Sequence, residues 1–492
     1  MRSSSSVSPG ASPSSGPGML RALPAIARAE WRAMLRNQVA LAAGILMLAL
    51  TVAAILVSHE RLSAVNAERA RFQGTADRQW NDQPDRHPHR VVHYGHYVFR
   101  PLSPLAFFDF GVDPFTGSTL FLEGHRQNSA NFSDAGQSSV LLRFGQLTPA
   151  FVLQVLAPLL IVFLAFGSVA RERERGQLRL QIVQGVRGST LLLGKLAAHG
   201  AVALLLAAPA FVALAAIAVL HPGIALEAIT MLAGYALYLL LWVAAAVLVS
   251  SALPRARDAL LALVAGWIVT AILLPRVMPD LAAGAVQRPS RIEAEVAVHE
   301  RLAAIGDSHN PDDPYFNAFR ARVLAQYGVT RVEDLPVNYG GLLMQEGERL
   351  TAGLYDEFMR IDHARQREES AIVHAASLVS PVIALRRMST AMAGTSLDHH
   401  ARFLVEGERY RYGFVQALNG LHANVVTPQG AGDERIDRHH WQETPRFAYA
   451  PAAWSQVAAR HAWPAFALLG GWLLALGITG RLVAQRLERN PT

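Results

Sequence analysis

The sequence predicts an all-α polytopic membrane protein: six transmembrane helices, an amphipathic elbow helix before the first, and a mainly helical extracytoplasmic domain made from two insertions. Three observations carry that prediction. Of 492 residues, 51% are hydrophobic and 17% charged, a balance soluble domains rarely reach. Six runs, 39–57, 149–170, 200–220, 229–253, 259–274 and 463–482, hold little or no charge, and about 20 such residues cross ~30 Å of hydrocarbon. Arginines crowd the short segments on one side of that arrangement. Barrel strands are excluded because the runs are too long and too uniformly apolar.

Residues 1–18 are rich in Ser, Pro and Gly and are expected to form a disordered tail, too polar for a signal peptide. In 19–38, Leu23, Ile26, Ala27, Trp31, Met34 and Leu35 recur at helical spacing with Arg28, Arg32 and Arg36 between them. That pattern is an amphipathic helix lying in the interface with lipid. The first span, 39–58, reads as an uncleaved anchor. An insertion over 59–148 follows, then the second span at 149–170 and a charged segment at 171–195. The third span is 196–220. A turn at His221, Pro222 and Gly223 leads to the fourth, 228–253. The fifth, 258–275, is short and needs its flanking residues. The second insertion, 276–462, contains expected helices at 291–305, 314–327 and 342–377. Leu350, Leu354, Phe358 and Ile361 make an apolar stripe on the last of these. The sixth span, 463–482, ends in a tail, 483–492.

Orientation follows from positive charge near span ends. Arg21, Arg28, Arg32 and Arg36 precede span one. Arg171, Arg173, Arg175, Arg179, Arg187 and Lys195 follow span two, Arg255 and Arg257 follow span four, and Arg481, Arg486 and Arg489 close the chain. With six spans these share one side, so both termini are expected in the cytoplasm of a bacterial inner membrane and both insertions in the periplasm. The formal charge of +7 is then topological rather than a nucleic-acid signature. No cysteine is present, which excludes disulfides and thiolate metal sites.

The segment from Arg171 to Lys195 reads RERERGQLRLQIVQGVRGSTLLLGK. Arg171, Glu172, Arg173, Glu174 and Arg175 alternate in sign at the membrane edge. Gly176 follows, then an amphipathic turn with Leu178, Leu180 and Ile182, and Gly185 and Gly188 permit tight turns. A short amphipathic helix held between two spans is a lever. Its charges suit a protein partner, with Glu172 and Glu174 expected to pair with arginines at the membrane edge or on that partner. A solvated loop with topogenic arginines is the alternative.

This stretch resembles the first cytoplasmic loop of type 2 ABC transporter permeases, the exporter class. RERERGQLRL, QGV (Gln184, Gly185, Val186) and LLLGK match it. HYGHYVFRPLSPL, GVDPFTGSTLFLEGHRQN, LPVNYGGLLMQEGE and SPVIALRRMSTAMAGT are similar to a branch with large periplasmic insertions and no defined substrate. The resemblance implies that Arg171, Glu172, Arg173, Glu174, Arg175, Gly176, Leu178, Leu180 and Gly185 couple the membrane part to two copies of an ABC ATPase. It also implies a second permease, either a paralogue or the same chain. The chain has no G-x-x-x-x-G-K-[ST] loop, so it carries no cofactor of its own, and ATP and Mg are expected in the partner ATPase. The chain itself is expected not to be an enzyme.

Other classes have less support. Proton-coupled pumps carry acids or histidines inside their spans, whereas the six apolar cores hold no Asp, Glu or Lys, and no Arg except Arg481 at the edge of the sixth. No G-x-S-x-G or H-E-x-x-H marks a hydrolase. His87, His89, His93 and His96 fall within ten residues and are candidate ligands for zinc, copper or nickel, though their spacing is not diagnostic. A permease that passes motion to a periplasmic or outer-membrane partner, instead of moving a solute, stays open.

Overall fold

The computed structural model describes residues 17–128, 130, 146–306, 310, 312–428 and 434–489. The expected disordered tail over 1–18 lies outside them except for residues 17 and 18, where helix α1 (Pro17–Arg36) begins. Asn37 separates α1 from α2 (Gln38–Asn81): its side chain accepts the Ala40 N–H and caps the new helix. At 1.5 Å per residue, the 44 residues of α2 span about 66 Å. Half of that crosses a bilayer and the rest is a rod projecting beyond it.

Among the described residues, six helices are long and apolar enough to cross a membrane. They are α2 and, beyond the short α3 (Pro88–Tyr94), α4 (Pro149–Glu174), α6 (Gly188–Leu220), α7 (Ala225–Ala252), α8 (Ala256–Ala285) and α14 (Trp454–Arg489). The short α5 (Gln177–Val183) joins α4 to α6. Helix α7 is central: Met231, Tyr235, Tyr238, Leu239, Ala246 and Val247 are fully buried in the main core. Val39, Leu46, Leu56, Val212, Val219, Leu261 and Leu474 are exposed on the spans, as lipid-facing or partner-facing helices require.

Three spans contain a π turn near the end that meets the extramembrane domain: 152–156 in α4, 268–273 in α8 and 458–462 in α14. A π turn displaces carbonyls from the regular ladder, and in a membrane each needs a donor. Side chains supply them. Tyr238 donates to Gln154 O (2.8 Å), Trp267 to Val155 O (3.0 Å), Ser380 to Thr270 O (2.5 Å) and Arg387 to Arg460 O (2.6 Å).

The extramembrane domain is built on α11 (Tyr339–Ala375) and α13 (Leu397–Asn424), with α9 (Arg291–Ile305) and α10 (Pro314–Tyr327) alongside. The far end of α2 joins it: Trp80 packs on Phe414 and donates to Trp441 O at 2.8 Å, within a cluster that includes Val91 and Val92 of α3. A two-stranded antiparallel ribbon, β1 (His96–Phe99) and β2 (Thr119–Leu122), pairs His96 with Leu122 and Phe99 with Thr119. Arg411 of α13 is 1% exposed and sits between Glu348 of α11 (2.6 Å) and Glu408 (2.7 Å), so the guanidinium pins the helix pair.

Helix α12 (Pro381–Ala393) lies in sequence inside the second insertion, yet it packs against α7 and α14 with most of its residues buried. Met388 seats on Gly234 of α7, where an added Cβ would meet its Cε and Sδ. The insertion is therefore anchored in the membrane bundle instead of hanging above it.

Helices α11 and α13 approach closely at Gly341, where a Cβ would clash with the Ala423 backbone. Gly341→Ala is expected to cost about 1–3 kcal/mol and lower the thermal midpoint of the detergent-purified chain. Gly353→Ala, which meets nothing, is expected to leave it unchanged or raise it slightly.

Candidate functional site

The charged segment folds as two short helical pieces, the end of α4 (Ala170–Glu174) and α5, joined at Gly176. Gly176 has φ +70°, the left-handed region that favours glycine. A second left-handed glycine, Gly185 (φ +90°), ends α5. Gly188 does not form a turn. It opens α6, and its missing Cβ lets the Ala484 carbonyl of α14 approach.

Three of the charges bond within the chain, Glu172 and Arg173 from half-buried positions and Glu174 from an exposed one, while Arg171 and Arg175 are exposed. Arg173 donates to the Ser251 and Leu253 carbonyls, both at 2.6 Å, and so caps the C-terminal end of α7, whose last carbonyls lack helical donors. Glu174 Oε1 accepts the Ala256 N–H at 3.0 Å, satisfying the first turn of α8, where a carboxylate is also favoured by the helix dipole. Glu172 Oε1 accepts from Lys195 Nζ at 2.8 Å. Neither glutamate pairs with an arginine here. The backbone turns at 166–169 are held by Ser250 Oγ, which accepts from Val169 and Ala170, and Arg171 stacks on Phe166 at 4.4 Å. Leu178 is fully buried in the membrane core. α5 and its flanks leave outward Arg171, Glu174, Arg175, Gln177, Arg179, Leu180, Val183, Gln184 and Arg187, with Leu180 63% and Val183 77% exposed.

The centre of this arrangement is Lys195, 1% exposed on α6. Its ammonium bridges two carboxylates, Glu172 on α4 and Glu30 on α1, each at 2.8 Å. One turn further along α6, His199 Nε2 lies 3.1 Å from the other oxygen of Glu30. Burial pushes the Glu30 carboxyl up, but the His199 hydrogen bond and the Lys195 charge outweigh it and hold the group at about 2. Close packing reinforces the contact, since a Cβ at Gly194 would lie 2.7 Å from Ile26 of α1. Elbow helix, lever and third span are thus joined through one ion cluster. Reading the sequence in apolar cores placed Lys195 and His199 just before the third core, 200–220, and so missed them. One signal was available: Lys195 is the only lysine among 45 Lys and Arg residues.

The four candidate metal-ligating histidines separate. His89 and His93 come together, Nε2 to Nε2 at 3.2 Å. His87 instead accepts the His89 N–H at the start of α3 and stands edge-on to His422. His96 packs against Trp80, 3.7 Å from Asp77. His125, from outside the sequence run, joins His89 and His93.

A family model described as "ABC-2 family transporter protein" matches residues 24–323. A second, described as "Domain of unknown function (DUF3526)", matches 291–450. No curated protein matches the chain.

Lys195→Met would leave two half-buried carboxylates without the cation between them, a change expected to cost about 1–3 kcal/mol. The triple change Lys195→Met, Glu30→Gln, Glu172→Gln removes the uncompensated charge and is expected to recover most of that loss. Thermal unfolding of the purified chains measures both. Equal midpoints for the single variant and the wild type would contradict the cluster.

Proposed function

The chain belongs to the ABC-2 family of transporter proteins, and on that premise we propose that it is a permease subunit driven by ATP bound and hydrolysed, with Mg, on two separate ABC ATPase subunits. The observation that carries this reading is the ion cluster at Lys195. A pushing subunit needs a surface to contact and a rigid connection behind it. Leu180 and Val183 offer the surface, apolar and exposed beside Arg175 and Arg179. Glu172, Arg173, Glu174 and Lys195 make the connection, tying the same segment to α1, α6, α7 and α8.

In this reading α1, α5 and the end of α14 lie on the cytoplasmic side of a bacterial inner membrane and the large domain in the periplasm, as the arginine distribution supports. The exposed apolar faces of the spans meet lipid and a second permease, either a paralogue or a second copy of this chain. The substrate class stays open. The unbroken α2, running from the elbow through the membrane to Trp80 in the outer domain, favours a second reading. In that reading ATP-driven motion reaches a periplasmic partner and no solute crosses. Vesicles holding the complex distinguish the two: ATP-dependent solute movement supports transport, and a change of shape without it supports transmission.

Leu180→Asp with Val183→Asp is expected to abolish co-purification of the ATPase while leaving the thermal midpoint of the permease unchanged. Gly176→Val forces a β-branched residue to φ +70°. It is expected to keep the complex assembled and to uncouple ATP hydrolysis from it. Full ATPase binding by the first variant and full coupling by the second would leave the segment a topogenic loop.

A further inference from the structure

We propose that His89, His93 and His125 form a three-imidazole site for a divalent transition-metal ion of the zinc, copper(II) or nickel class on the extramembrane domain, with Glu348 positioning His125. The proposal does not rest on the permease reading, because the site shares no residue with the lever.

Local folding sets the first two ligands. His87 caps α3 and Pro88 begins it. Val91 and Val92 are fully buried, which fixes the rotation of the helix. His89 and His93, four residues apart, then share one face. Their ring centroids are 4.7 Å apart at 87°.

The third ligand comes from the turn after β2. His125 is the one non-glycine residue at positive φ among the described residues, at φ 64°. A side chain rarely adopts that backbone without something to hold it, and such residues concentrate at ligand sites. Glu348 does the holding. Its Oε2 accepts the His125 N–H at 3.1 Å and lies 3.4 Å from His125 Nδ1. Glu348 is itself fully buried and fixed by Arg411 at 2.6 Å. A carboxylate on one ring nitrogen sets the tautomer and aims the other, Nε2, as the ligand atom, the arrangement that metal-binding histidines commonly show.

The distances suit a metal. Ligand nitrogens about 2.0–2.1 Å from a tetrahedral ion stand roughly 3.3 Å apart. His89 and His93 already stand at 3.2 Å, and one nitrogen from each of the three rings lies within 4.8 Å of the others. Closing the site needs a shift of about an ångström in the His125 ring. A plain N–H···N hydrogen bond accounts for the His89–His93 pair. It does not account for a third imidazole centred 5.9 and 5.4 Å from them, nor for a histidine held in a left-handed turn. His93 is exposed, so the fourth coordination position opens to solvent. Three imidazoles favour zinc, copper and nickel over magnesium and calcium.

The test uses the full chain, purified through a tag without histidine, stripped with chelator and titrated with Zn²⁺ alone. One zinc per chain is expected after gel filtration, and none retained with Mg²⁺. His93→Ala, at an exposed position, and His125→Asn, which keeps a residue tolerant of the left-handed turn, are each expected to weaken binding by more than about tenfold. His96→Gln is expected to bind as the wild type. Thermal midpoints of the zinc-free variants check that each is folded. Absence of stoichiometric zinc, or unchanged affinity in His93→Ala and His125→Asn, would overturn the site, as would a loss confined to His96→Gln.

Discussion

A single ammonium in a water-poor place sets the terms for the rest of this protein. Lys195 is nearly inaccessible, and a buried charge is tolerated only when it is paired and hydrogen-bonded. Two carboxylates meet that demand, and they come from α1 and α4. The elbow helix therefore cannot leave the third span without exposing Glu30 and Lys195 together, and the lever cannot tilt without stretching Glu172. A compact ammonium suits this position, because its donors reach carboxylates on two separate elements, whereas the planar fork of arginine favours one carboxylate face-on. The use of lysine here, in a chain that otherwise uses arginine for its basic residues, fits that geometry.

Rigidity at one face matters only if the spans carry it to the other. There the π turns of α4, α8 and α14 meet side chains from α7, α8 and α12. Gln154, in the α4 turn, donates to Tyr235 at 2.7 Å and accepts from Arg386 of α12 at 3.1 Å. Ser389 of α12 donates to Asp109 at 2.6 Å. These side-chain bonds add to the donors that fill the π-turn carbonyls, and together they attach the outer domain to the spans. A movement of α4 relative to α7 would have to break them or take α12 with it. The two ends of the bundle are thus cross-linked by polar groups, while the middle is held by apolar packing.

The spans were legible because lipid imposes a simple requirement on composition, and the elbow because its apolar residues keep a helical period. The bend at Gly176 could be read from a glycine after five charged residues. Partners distant in sequence could not: Glu30 is 165 residues from Lys195, and nothing local links them. Alternating charge usually marks a solvated face, but here Glu172 meets Lys195, Arg173 caps the end of α7 and Glu174 accepts from the start of α8. Helix α12 falls within the segment read as the second insertion, and its Arg386 and Arg387 serve the π-turn network. In the outer domain, the run of four histidines drew attention to spacing, whereas tertiary structure kept two and recruited His125 from beyond β2.

The central claim is that Lys195 makes the elbow, lever and third span move as one body, so that force entering at α5 reaches the outer domain. The chain has no native cysteine, so spin labels at Arg179, on the lever, and Arg331, exposed in the outer domain, can be introduced directly. Pulsed electron-spin distance measurement on the assembled complex, with and without trapped ATP, reads the connection. The account expects the distance distribution to shift on ATP binding in the otherwise wild-type chain and to stay unshifted in folded Lys195→Met complexes that still bind the ATPase. The same shift in both would show that force travels by another route.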